Sequence, residues 1–127
     1  MTVTWAFLAE SAASVNNKLN VSGGVLSGYA VGPERLARFV LVLMTEADSD
    51  DPDRRVSVEF RPPTFDEPVR QQFEIPEAAI GKLPGFAFFN VEVELPVDGR
   101  WLILVSGSSG TISIPLVISQ DDDEARE

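Results

Sequence analysis

Phe86-Ala87-Phe88-Phe89-Asn90-Val91-Glu92-Val93-Glu94-Leu95 is the stretch on which the fold turns. Phe89, Val91, Val93 and Leu95 fall on one side of a period of two, and Phe86, Phe88, Asn90, Glu92 and Glu94 on the other. That period belongs to a strand with one buried face, because successive side chains in a strand point to opposite sides. Asp98-Gly99 follows as a hairpin signal. Trp101 to Val105 and Ile112 to Ile118 then make two further strands, joined by a turn across Gly107 to Gly110.

Working outward, the same rhythm recurs upstream. Val69, Gln71, Phe73 and Ile75 oppose Arg70, Gln72 and Glu74, and Val56, Val58 and Phe60 oppose Ser57, Glu59 and Arg61. Phe39 to Met44 is apolar without alternation, as expected of a strand covered on both faces. At the N-terminus Val3, Trp5 and Phe7 share one face of a first strand, and a loop is expected from Glu10 to Asn17. Leu19 and Val21 resume the alternation, and Gly23-Gly24 marks a bulge or bend from which Val25 to Val31 continues in a new direction. Pro33 to Ala37 is read as one helical turn, and Pro76 to Pro84 as a short helical connector.

These elements predict an all-β, antiparallel β-sandwich of immunoglobulin-like or jelly-roll-like kind with about eight strands, a β-barrel being the alternative. Residues 1–120 form the domain in this reading, and Asp121 to Glu127 an acidic, unstructured tail.

Among the 127 residues there is no histidine and no cysteine. A Ser-His-Asp or Cys-His apparatus is therefore impossible, and zinc would have only carboxylates to hold it. Twenty acidic side chains against ten basic ones give a formal charge of −10, of which the tail carries five acids and one arginine. Such a field repels polyanions, so neither nucleic acid nor an anionic membrane is an expected partner. Met1 to Phe7 has neither the basic nor the apolar region of a signal peptide, which predicts a cytoplasmic protein.

Each candidate site has a plain structural reading beside it. Asp48, Asp50, Asp51 and Asp53 form the best candidate calcium loop, but Pro52 and the missing glycine depart from the EF-hand pattern, so no metal and no cofactor is predicted. Glu92 and Glu94 share a strand face about 7 Å apart, a spacing suited to acid–base work only inside a cleft. Neither Lys18 nor Lys82 stands in a Ser-x-x-Lys motif, and Ser106 to Gly110 lacks the lysine and helix of a phosphate loop. Trp5 and Trp101 are assigned to the core rather than to a sugar-stacking platform with Tyr29.

The unusual feature is apolar content on faces that should be polar. If Trp101, Ile103 and Val105 point inward, Leu102 and Leu104 point out, as do Phe86 and Phe88 opposite Phe89 and Val91. Val40, Val42 and Met44 raise the same question. Either a loop or short helix from within the chain, such as Pro76 to Pro84, covers such positions, or another subunit or partner protein does.

Ala6-Phe7-Leu8-Ala9-Glu10-Ser11-Ala12 and Lys18-Leu19-Asn20-Val21-Ser22-Gly23-Gly24, with the later Pro96, Gly99 and Trp101, complete the pattern. It resembles a family of small uncharacterised bacterial all-β proteins that open with A-x-L-C-D-x-A and continue with G-K-L-N-V-x-G-G. Ala9, Glu10 and Asn17 depart from the cysteine, aspartate and glycine of that pattern. The resemblance implies a β-sandwich and assigns no activity. The expected function is a non-catalytic protein-interaction or assembly module that self-associates, with Phe86, Phe88, Leu102 and Leu104 at the interface. A small-ligand-binding or carboxylate-based enzyme domain is the alternative.

Overall fold

The computed structural model describes residues 2–46, 53–76 and 85–120. They form ten strands and no helix: β1 (Thr2–Ala9), β2 (Ser11–Val15), β3 (Lys18–Ser22), β4 (Gly28–Val31), β5 (Leu36–Glu46), β6 (Arg55–Arg61), β7 (Val69–Glu74), β8 (Gly85–Glu94), β9 (Gly99–Ser106) and β10 (Thr111–Gln120). The connector at Pro76 to Pro84 falls, from residue 77 on, outside the described residues, as does the tail.

Three sheets result, in the orders β1-β5-β8, β4-β10-β9-β6-β7, and β2-β3. Pairs of named strands are antiparallel except β4 with β10, which is parallel from Val117 opposite Gly28 to Gln120 opposite Val31. Pro115 sits before that pairing starts, where β10 has a ladder partner on one side only and a missing N–H does no harm. The inner faces of the three- and five-stranded sheets share one core. Leu41, Leu43, Val91 and Val93 meet Val58, Phe60, Trp101, Ile103, Leu116 and Ile118 there, all of them buried.

The alternation read for β6 to β10 holds, with Val56, Val58 and Phe60, then Trp101, Ile103 and Val105, all inward. β5 is the central strand covered on both faces. Phe39, Leu41 and Leu43 enter the main core, while Val40 and Val42 enter a second cluster with Ala9, Phe7, Ala12, Leu19 and Phe88. Its cover is therefore the β2–β3 hairpin.

Four local expectations are corrected. The segment Glu10 to Asn17 is not a loop: it contains β2 and a tight turn in which Asn16 and Asn17 both have positive φ, 53° and 62°. Consecutive left-handed residues match the twist of a two-residue hairpin, and asparagine tolerates that conformation. Val25 to Val31 does not extend β3; the chain leaves it and enters the five-stranded sheet as β4. Pro33 to Ala37 is not a helical turn: Gly32 to Arg35 form a β-turn, closed by Arg35 N donating to Gly32 O at 2.9 Å with Arg35 at φ 62°, and β5 starts at Leu36. Asp98-Gly99 joins no hairpin, since β8 and β9 belong to different sheets. It is an inter-sheet corner, held by Arg35 Nε donating to Leu95 O at 2.9 Å, Arg35 pairing with Asp98 at 2.8 Å, and Trp101 Nε1 donating to Val97 O at 2.9 Å.

Candidate functional site

The two outer faces carry the chemistry, and strand register decides what each presents. On β1 the pairing with β5 slips between Val3, opposite Thr45, and Trp5, opposite Met44, so Thr4 is an extra residue. One extra residue reverses the phase of everything after it. Val3, Ala6 and Leu8 consequently face the core, whereas Trp5 and Phe7 face outward, which corrects the reading that placed Val3, Trp5 and Phe7 together. Trp5 is 61% exposed and packs edge-on against Phe7, ring centroids 5.8 Å apart. Only Trp101 of the two tryptophans lies in the core.

Around Trp5 the register brings Met44 alongside, then Phe86 beside Met44 and Phe88 beside Val42. Phe86 and Phe88 are half-buried, and Phe88 reaches the cluster beneath the β2–β3 hairpin. The outer face of the three-stranded sheet is thus apolar around Trp5. It turns acidic toward its far end, where Glu92 and Glu94 sit and Arg38 pairs with Glu92 at 3.1 Å. With Glu46, its strand positions hold three glutamates against one arginine.

The outer face of the five-stranded sheet has the opposite character. Its positions include Arg55, Ser57, Glu59 and Arg61 of β6, Arg70, Gln72 and Glu74 of β7, and Arg100, Leu102, Leu104 and Ser106 of β9. Four arginines against two glutamates leave a surplus of two positive charges in a chain of net charge −10. Glu59 stands at its centre, accepting from Arg61 Nε at 2.6 Å and from Arg70 Nε at 3.0 Å. Partial burial pushes the Glu59 carboxyl up, but the hydrogen bonds and charges of Arg61 and then Arg70 outweigh it and hold the group below the usual carboxylate range. A shallow groove of about 610 Å³ runs beside this triad, lined by Ser57, Arg70, Gln72, Leu104, Ser106 and Thr111.

Leu102 and Leu104 are half-buried on this basic face. Phe86 and Phe88 lie on the outer face of the other sheet. The four residues read together from the sequence are therefore divided between two faces that look away from the shared core. The sequence reading placed Trp5 in the core and did not find the Arg61–Glu59–Arg70 triad. A β-bulge leaves no composition signal, and the triad is assembled by pairing Glu59 with Arg70 across strands.

Of the calcium candidates, Asp48, Asp50 and Asp51 lie outside the described residues. Asp53 accepts from the backbone nitrogen and the Nε of Arg55, each at 3.0 Å, and that contact raises the arginine's pKa. No group of three or more potential ligands occurs among the described residues, and no helix among them is long and apolar enough to cross a membrane. No family model matches the chain. No curated protein matches it, and no solved structure does.

Proposed function

We propose that this protein is a non-catalytic interaction module that self-associates through its outer sheet faces, the three- and five-stranded sheets forming the two layers of a sandwich. The observation that carries the reading is Trp5, a large ring turned out of the core by a bulge onto a face already apolar with Phe7, Met44 and Phe86. Aromatic side chains in such settings are the usual anchors of protein contacts. Edge-strand pairing has less support, because β7 and β8 lean on one another: Gln71 Nε2 donates to Glu92 O at 2.9 Å, and Phe73 stacks on Phe89 at 5.0 Å.

A carboxylate-based enzyme has little in its favour. Glu59 is engaged by Arg61 and Arg70, and Glu92 by Arg38, so neither carboxylate is free of a cation partner for acid–base work. Tryptophan emission measured against protein concentration tests the proposal. Trp101 is already buried, so a blue shift with rising concentration reports Trp5 entering an interface, and an unchanged spectrum from low to high micromolar overturns the reading.

A further inference from the structure

We infer that the association is heterologous: the apolar and acidic outer face of the three-stranded sheet docks on the basic outer face of the five-stranded sheet of a second copy. The inference rests on the self-association proposed above and specifies which surfaces meet. Two observations carry it. Exposed or half-buried apolar residues occur on both outer faces, Trp5, Phe86 and Phe88 on one and Leu102, Leu104 and Val117 on the other. No two-fold contact that uses a single face covers both groups. Charge points the same way, since one face holds three glutamates against one arginine and the other four arginines against two glutamates.

Pairing either face with itself sets like charges against one another, whereas pairing unlike faces opposes a surplus of two negative charges to a surplus of two positive ones. Complementary potentials of this kind select register and reject the wrong partner. Any open run of copies then ends in one free face of each kind, so the assembly grows into a ring if the rotation closes and into a filament if it does not.

Complementation between two crippled copies tests this. Trp5→Lys spoils the first face and leaves the basic face intact; Leu104→Glu does the reverse. Each variant alone is expected to run as a monomer of 13.8 kDa, and an equimolar mixture as a one-to-one dimer that grows no further, while the wild type grows with concentration. A variant that still dimerises alone, or a mixture that stays monomeric beside an associating wild type, overturns the heterologous pairing and leaves self-association standing. A wild type that is monomeric at high micromolar concentration overturns both. Thermal melts confirm that the variants fold. Trp5→Ser and Arg70→Glu, at side chains that are largely exposed, replace either variant that melts early.

Discussion

The Tyr29 hydroxyl lies 3.1 Å from the backbone nitrogen of Arg38 and accepts its hydrogen bond. β1 stops pairing with β5 at Ala9 opposite Val40, so the first residues of β5 have lost their neighbour on that side. A side chain from the five-stranded sheet takes over the ladder of the three-stranded one, and the Tyr29 ring meets Phe39 edge-on at 6.0 Å. The two sheets are joined there by a polar contact as well as by their core.

Tyr29→Phe keeps the ring contact and removes only the acceptor. Water reaches this site, so the expected loss is about 0.5–1.5 kcal/mol, the net worth of an ordinary hydrogen bond. Urea unfolding followed by circular dichroism gives the number, and a loss well above that range would mean that the sheets separate locally.

The two tryptophans should part company on truncation. Trp101 is fully buried and bonded to Val97, so Trp101→Ala is expected to cost about 3–5 kcal/mol. Trp5→Ala gives up mainly an edge-on contact with Phe7 and should cost about 0.5–1.5 kcal/mol while weakening association. Paired unfolding curves and light scattering on the two variants separate the roles.

Gly99 carries the corner between the sheets at φ 128°, and a Cβ there would stand 2.8 Å from Pro63 Cγ. Both the left-handed backbone and the close approach oppose any other residue. Gly99→Ala is therefore expected to lower stability by about 1–3 kcal/mol, read from the unfolding midpoint, with no change in the β spectrum of the folded form.

Acid should act partly through Glu59. Its carboxyl is depressed in the folded chain by Arg61 and Arg70, so the stability it contributes is complete above the unfolded glutamate value, about 4.3, and is lost as pH falls from there through the lower folded value. Glu59→Gln cannot lose what it no longer has. Its melting temperature should fall less steeply than that of the wild type below about pH 4.3, and identical acid limbs would show that the triad contributes nothing.

The legible part of the fold was the part that alternation encodes. Wherever the period of two ran unbroken, as in Val56 to Phe60, Phe89 to Leu95 and Trp101 to Val105, inward and outward residues were assigned as they stand, because pleating leaves no other arrangement. The reading failed where one residue breaks the count. Thr4 is ordinary in composition, yet its insertion between Val3 and Trp5 turned Trp5 out of the core. It failed again at Asp98-Gly99, where a local turn signal is the same for a hairpin and for a corner. The placement of β8 and β9 in different sheets distinguishes them, and Arg35, remote in sequence and bonded to Leu95 and Asp98, helps hold the corner.

By itself the sequence determined that the chain is built of strands, which side chains of each unbroken strand face inward, and that histidine and cysteine chemistry is impossible. Those properties follow from neighbours along the chain and from composition. The tertiary structure alone decided which strands pair. Pairing placed Glu59 between Arg61 and Arg70, laid the β2–β3 hairpin over Val40 and Val42, and put Leu104 and Phe86 on different sheets. Strand partners are chosen by the burial that the whole core achieves, so a surface assembled across strands is written in register and not in any single segment.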